Sequence, residues 1–457
     1  MIEKMKDWLA PIVRYVIAPL WAFEESSPYL RYLKVLERTQ YLSEEELRHR
    51  QWHRLKKVFQ HAYSNCPFYA RLYKSVGFTA GDLRSWDDFL QLPILTKKHI
   101  RANAADMVAM NVPKDHLISR KTSGSTGVSV FFHIDEAGGQ WRRACEIRHN
   151  RWAGWDIGEP VAAIWGNAPT NMGLRAWLRN RLLDRTRFLD TLHMKPDDME
   201  SFAEDLVAHP ASIVFGHAHS LYVFALFVRS RRIKGIAPRG IISTAMILLE
   251  KQRSVIESVF QARVFNRYGC EEVSLIASEC EFHSGLHVNL DLLVVEILKD
   301  GRPAMPGQVG EVVVTDLTNY GMPFIRYRVG DMAVPSDKKC PCGRGFPLLE
   351  RVEGRAADYL VTPDGTLVSG ISLTENFATL IPGLEQMQII QEAPHFLRLR
   401  IVPGIGFNKH SEETIETLVR KRFGPAMRYQ CELVEEIPCE QSGKFRFVIS
   451  KVPLPFA

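Results

Sequence analysis

The sequence has no uninterrupted apolar stretch where a membrane span would be sought. Trp8–Phe23 reads WLAPIVRYVIAPLWAF, sixteen residues broken by Pro11, Arg14 and Pro19. A helix crossing a bilayer needs roughly 20 apolar residues. The stretch reads as a strap packed on the protein's own core, with peripheral contact to a membrane surface as the alternative. Cysteine is sparse: Cys66, Cys145, Cys270, Cys280, Cys340, Cys342, Cys431 and Cys439 in 457 residues. That is too few and too scattered for a disulfide framework, so the expected compartment is reducing and cytoplasmic. Basic charge is not concentrated either. The 58 Lys and Arg stand against 52 Asp and Glu, a net +6, and occur mostly as singles and pairs such as Arg231-Arg232. Nucleic-acid-binding domains gather their positive charge, so no nucleic-acid partner is expected. Internal repeats and low-complexity tracts are also missing.

What is present is apolar mass. At 46% hydrophobic and 10% aromatic the chain is no disordered polymer, and its length suggests about three domains. Ser43 and Glu46 form a capping box ahead of Leu55, Val58, Phe59 and Ala62 at helical spacing, which predicts an amphipathic helix over 43–64. Short apolar runs at Val161–Trp165 and Ala211–Phe215 alternate with helical patterns, the mark of an α/β layered body. Leu292–Leu298 and Glu311–Thr315 read as strands joined by a Gly/Pro-dense hairpin or loop over Gly301–Gly310. After Gly354-Arg355 the pattern becomes a compact α+β tail, with strands at Gln386–Gln391 and Phe396–Val402 and a helix near Ser411–Phe423. The expected units are a leader, 1–42; an α/β body with a β-rich subdomain, 43–354; and a small mobile C-terminal domain, 355–457.

The sharpest local motif is Thr122-Ser123-Gly124-Ser125-Thr126-Gly127. Two glycines let a turn expose its backbone N–H groups and the hydroxyls add donors, a combination suited to phosphate. It is not a P-loop: Val128 stands where the lysine would, and Val128–Ile134 reads as a strand, not a helix. Four further motifs follow in order. They are Tyr268-Gly269-Cys270-Glu271-Glu272, Tyr327-Arg328-Val329-Gly330-Asp331, Gly354-Arg355 and Ser442-Gly443-Lys444-Phe445-Arg446.

Together, in this order, these motifs resemble the adenylate-forming superfamily, and within it the phenylacetate–CoA ligase-like family and its capsular-polysaccharide-biosynthesis branch. Cys66-Pro67-Phe68-Tyr69 and Leu92-Pro93-Ile94-Leu95-Thr96-Lys97 resemble the leader of that branch. The resemblance implies a ligase that activates a small carboxylic acid with ATP and magnesium, releases pyrophosphate, and passes the acyl group to a thiol, coenzyme A above all, or to an amine or carrier. It implies that Ser123, Gly124, Ser125, Thr126 and Gly127 bind the phosphates, and that Ser243, Thr244 and Ala245 lie along the adenine. Tyr268 and Gly269 match the next nucleotide motif, and Glu272 its magnesium-contacting glutamate. Asp331 would accept from the ribose hydroxyls and Arg355 would contact ribose or phosphate. Lys444 would bridge carboxylate and α-phosphate. Bringing two anions together calls for positive charge and alignment rather than a strong base, which suits that set. The acyl pocket is expected around Trp165-Gly166 and Gly216–Ser220. A non-catalytic ATP-binding scaffold on the same fold is the alternative.

Two positions depart from the family pattern. Val128-Ser129 replace the Lys or Arg and Pro that usually follow the phosphate loop, and Ala357 stands where the hinge usually carries an acidic residue, with Asp358 after it. Outside the nucleotide motifs, Cys340-Pro341-Cys342 and Cys280-Glu281-Phe282-His283-Ser284-Gly285-Leu286-His287 offer thiolates and imidazoles. Cys280, His287, Cys340 and Cys342 fit a closed structural zinc, with His283 in reserve and free buried thiols as the alternative; relatives carrying this Cys-x-Cys turn favour the metal. Cys270 has two glutamates and no base beside it, so it reads as a space-filler and not a nucleophile. No Ser/His/Asp constellation is evident.

Overall fold

The computed structural model describes residues 7–121, 130–166, 173–192, 194–353, 359–370, 373, 377–437 and 446–452. Five strands, Thr186–Asp190, Val161–Trp165, Ile213–His217, Gly240–Thr244 and Val264–Cys270, lie side by side in that spatial order. Their shared registers are parallel. Strands covered on both faces read as continuous apolar runs, which is why VAAIW and GIIST show no alternation. Helices Pro196–Ala208, Ala218–Ser230 and Glu250–Phe260 bury Phe202, Phe224, Phe227 and Phe260 against Ile164, Val214 and Ile241. The chain leaves Val161–Trp165 for one neighbour and then returns to build the other. That reversal makes a topological switch point beyond Trp165 and His217, where open α/β sheets bind ligands.

The same sheet continues as an antiparallel half. From Arg267 onward the Val264–Cys270 strand pairs with Ser274–Ser278, and Leu286–Val288, Leu348–Glu353, Tyr327–Ser336, Gly310–Asp316 and Leu293–Lys299 follow in turn. Val295 pairs with Val314, so the 301–310 connection closes a hairpin. The capped helix runs Glu44–Asn65, with Glu46 N–H on Ser43 Oγ at 3.2 Å and Ser43 N–H on Glu46 Oε2 at 2.8 Å. Its Leu55, Val58, Phe59 and Ala62 are buried as the periodicity requires. Ser43→Ala is expected to cost about 1 kcal/mol in urea unfolding; an unchanged unfolding curve would show that the cap contributes nothing.

Two buried arginines tie the front of the chain to this half. Arg326 donates to Glu296 at 2.7 Å and to the carbonyls of Leu90 and Leu92. Arg148, 1% exposed, meets Asp291 at 2.5 Å and Asn289 at 3.0 Å. Beside them Leu95 adds a short parallel bridge to Tyr327.

The N-terminal stretch, read from the sequence as a strap, is helical from Leu9 to Glu24. Leu9–Ile12 passes through a π-helical turn, Val13–Ile17, into Ala18–Glu24. Pro11 lies in the first turn, whose N–H groups have no intrahelical partner, and Pro19 opens the third segment, where the wider π turn relaxes the ladder. Only Ala10, Val13, Ala18 and Ala22 are buried. Gly158, at φ +87°, admits Val13: a Cβ there would lie 2.6 Å from the valine Cβ.

The small C-terminal domain has a four-stranded sheet ordered Arg428–Leu433, Phe396–Pro403, Leu384–Ala393, Val448–Ser450. Helix Lys409–Phe423 packs Ile415, Val419 and Phe423 on its Met387, Ile389, Leu397 and Leu399. Asn408 caps this helix, starting it two residues before the periodicity suggests. The architecture is thus a large α/β body followed by a small α+β domain. The expected boundary at 354–355 lies outside the described residues.

Candidate active site

Four of the expected site residues, Tyr268, Gly269, Glu272 and Asp331, converge at the seam between the parallel and antiparallel halves. Val264–Cys270 carries Tyr268 and Gly269 past the ends of its parallel neighbours. A tight turn over 271–273 then reverses the chain, and Cys270 pairs with Ser274. Gly269 is required there: a Cβ would stand 2.5 Å from the Ser274 carbonyl oxygen. The turn buries Glu272 to 4% exposure. A buried carboxylate must be compensated, and Tyr327 donates to it at 2.6 Å while the Lys97 ammonium stands 3.9 Å away. Further along the same strand as Tyr327, past an irregularity in its pairing with Gly310–Asp316, Asp331 accepts from the Tyr268 hydroxyl at 3.1 Å.

Arg142 fixes the turn from outside. It donates to the carbonyls of Glu271 and Glu272, at 3.2 and 2.6 Å, and to buried Asp316 at 2.9 Å. Burial, and then the charge of Glu272, push the Cys270 thiol well above its usual range. The thiolate needed for nucleophilic chemistry is therefore suppressed, as the sequence reading expected.

Sequence reasoning passed over Lys97 and Arg142 as site residues. Lys97 lay inside a quoted segment, at the first position of the helix Lys97–Met107 behind the Thr96 cap. What aims it at Glu272 is the Leu95–Tyr327 bridge, a pairing across more than 230 residues that no local pattern announces.

At the strand ends, Ser243 and Thr244 close Gly240–Thr244, and Ala245 follows at φ +64°. A non-glycine residue in that region stores strain of about 1–3 kcal/mol and such residues cluster at functional sites. Ser243 pairs with Asn266, two residues before Tyr268, so the adenine-segment and tyrosine motifs share one end of the sheet. At the switch point Trp165 stacks close to His217, ring centroids 3.9 Å apart, and to Phe215 at 5.1 Å. Burial pushes the His217 imidazole down to about 3, so it is neutral. Its Nε2 and the Ser243 hydroxyl are buried without a hydrogen-bond partner among the described residues. Unpaired buried polar groups are rare, and these two lie at the carboxyl ends of neighbouring parallel strands.

The remaining expected residues, Ser123, Gly124, Ser125, Thr126, Gly127, Arg355 and Lys444, lie outside the described residues. So do Val128, Ser129, Ala357 and Asp358. The described flanks of the phosphate loop, Leu117–Lys121 and Phe131–Asp135, pair antiparallel from Leu117 with Asp135 to Lys121 with Phe131.

A second cluster sits in the antiparallel half. The donor atoms of Cys280, His287, Cys340 and Cys342 all lie within 4.8 Å of one another. Cys280 and Cys340 sulfurs are 3.5 Å apart, and Cys342 Sγ is 3.4 Å from His287 Nε2. A tetrahedral zinc with its usual bond lengths demands edges of about 3.8 Å between sulfurs and about 3.6 Å between sulfur and nitrogen. Three thiols and one imidazole at this spacing fit zinc. His283, the reserve ligand, turns instead to Glu279 at 3.2 Å.

Comparison with known proteins gives a consistent set of likenesses. Residues 360–451 match the family model of the CapK C-terminal domain. The chain is 22% identical over 406 residues to protein CapK of Staphylococcus aureus, covering 87% of this chain and 88% of that protein. It is 27% identical over 332 residues to the phenylacetate-coenzyme A ligase of Escherichia coli (strain K12), covering 70% and 73%. Among solved structures, 2-hydroxyisobutyryl-CoA ligase in its postadenylation state superposes with a TM-score of 0.60, covering 91% and 92% of the two chains at 22% identity.

Proposed function

We propose that this chain, which belongs to the adenylate-forming, phenylacetate–CoA ligase-like family, is an AMP-forming ligase: it would join a small carboxylic acid to the AMP moiety of ATP with release of pyrophosphate, and then pass the acyl group to a thiol with release of AMP. The observation that carries the reading is the seam cluster: Tyr268 on Asp331, and Glu272 held between Tyr327 and Lys97, at the carboxyl ends of the parallel strands. Asp331 would accept from the ribose hydroxyls, with Tyr268 orienting its carboxylate. Ser243, Thr244, Ala245 and Gly269 would border the base, and Ser123–Gly127 and Arg355 the phosphates. Glu272, a hard oxygen donor, would hold magnesium, whose charge would offset the approach of carboxylate to α-phosphate. Lys444 would stand on the carboxylate side. Trp165, Phe215 and neutral His217 would line the acyl side.

Coenzyme A is the acceptor that the ligase relatives support. Likeness to CapK is the support for a part in cell-surface polysaccharide chemistry, with an amine or carrier as a further acceptor. A structural zinc on Cys280, His287, Cys340 and Cys342 completes the proposed complement.

Pyrophosphate exchange into ATP over a panel of aromatic, hydroxy and short aliphatic acids tests the reading. At least one acid is expected to raise exchange well above the acid-free rate, and coenzyme A is then expected to discharge the adenylate to AMP. ATP binding with no acid-stimulated exchange anywhere in the panel would favour the non-catalytic scaffold.

A further inference from the structure

We propose that the N-terminal helix docks the protein on the surface of an anionic lipid bilayer. Between Trp8 and Phe23 the fully exposed positions are Trp8, Pro11, Ile12, Tyr15, Val16, Leu20 and Phe23, and none carries a charge. Trp8 is 73% exposed, Tyr15 72%, Leu20 63% and Phe23 86%. Single exposed apolar residues need no explanation, but a contiguous stripe of them does. Steps of three and four residues put this stripe along one side of the helix, opposite Ala10, Val13, Ala18 and Ala22.

A neighbouring helix widens the surface. Leu174 and Trp177, 73% and 47% exposed, belong to Leu174–Arg179, which is tied to the N-terminal helix by Arg175–Glu24 at 2.6 Å and Arg179–Glu25 at 2.6 Å. The charges beside this apolar face have the right sign for a lipid headgroup. Segments 7–40 and 173–188 hold nine Lys and Arg against five Asp and Glu. In the second segment Arg175 and Arg179 pair with Glu24 and Glu25, Arg185 with Asp7 and Arg187 with Asp205, which leaves Arg181 as the cation presented beside the apolar face. Arg181 is exposed and lies over the Trp177 ring at 5.8 Å.

A helix of this length with one apolar aromatic side and cationic neighbours fits the plane of the headgroup boundary. Among the described residues no helix is long and apolar enough to cross. Trp and Tyr prefer that boundary because their rings are apolar and their N–H and O–H are not. The aromatics sit on the far side of the helix from its packed face, apart from the nucleotide seam, so this proposal stands independently of the catalytic one.

Co-sedimentation of the full chain with vesicles tests it. The wild type is expected to pellet with phosphatidylcholine containing roughly one-third phosphatidylglycerol, and more weakly with phosphatidylcholine alone. Trp8→Ser/Tyr15→Ser/Phe23→Ser, at exposed positions that leave the core intact, is expected to lower partitioning at least about 100-fold. Arg175→Ser/Arg181→Ser is expected to lower the preference for the anionic vesicles about tenfold, as is 0.5 M salt. Failure of the wild type to bind either vesicle overturns the proposal, as does unchanged binding by the triple variant. Self-association that the triple variant abolishes, without vesicle binding, would assign the face to a second copy of the chain.

Discussion

Glu272→Gln is expected to lower acid-dependent pyrophosphate exchange about 10²- to 10³-fold, and Lys444→Ala by at least as much, with both proteins folded. The reason lies in what the reaction asks for. A carboxylate attacking an α-phosphate needs its charge offset at the moment of approach, and each preorganised contact of that kind contributes about 3–4 kcal/mol. Glu272→Gln is the sharper probe because it keeps the side-chain volume and can still accept from Tyr327, whose hydroxyl stands at 2.6 Å. What it removes is the negative charge proposed to hold magnesium. Lys97, 3.9 Å away with its side chain 25% exposed, can hydrate when that charge goes, so the fold has little to lose. Tyr327→Phe should cost far less, since it removes only the orienting hydrogen bond. The two large losses are expected to be non-additive in the double variant, as for groups that act in one step. Full exchange activity in either single variant, with ATP still bound, would remove that residue from the chemistry.

The parts of this site that were legible in the sequence are those whose signal is local. Tyr268-Gly269 and Glu272 belong to one strand and its turn, and Tyr327 and Asp331 to one short motif, so residues close in sequence arrive at the seam together. The apolar runs at 161–165 and 211–215 marked strands that the structure places at Val161–Trp165 and Ile213–His217, because burial on both faces leaves no polar alternation. The Gly/Pro-dense 301–310 connection and the two strands it joins were legible, and they pair as an antiparallel hairpin. What escaped was long-range. One sheet runs unbroken from the parallel half into the antiparallel one through Val264–Cys270, and no periodicity records that a strand changes partners along its length. Lys97 reaches Glu272 through the bridge of Leu95 to Tyr327, and Arg142 reaches the 271–272 turn from a helix. The N-terminal strap was given no secondary structure from the sequence; it is helical because Pro11 and Pro19 occupy turns where a missing N–H matters little.

Protein purified without added zinc is expected to carry one zinc per chain, and Cys342→Ser or His287→Ala to lose it together with several kcal/mol of stability. A ligand that binds only the folded state at a thousand times its dissociation constant adds about 4 kcal/mol, and structural zinc commonly binds more tightly. The location makes the loss cooperative. Cys280 and His287 flank the connection between Ser274–Ser278 and Leu286–Val288, and Cys340 and Cys342 lie in the loop between Tyr327–Ser336 and Leu348–Glu353. The same loop holds the leader, through Gly345 N–H on the Gln40 carbonyl at 3.0 Å and Arg344 on the Gln40 side-chain oxygen at 3.2 Å. Loss of a metal bound there would loosen the strand that presents Tyr327 and Asp331 to the seam, so exchange activity should fall along with the melting temperature. His283→Ala should retain the metal, because His283 turns to Glu279 and not to the thiols. Cys431→Ser, at an exposed cysteine in the C-terminal sheet, should change neither metal content nor stability. Zinc near zero in the wild type, or full zinc in Cys342→Ser, would return these four residues to free thiols and a buried imidazole.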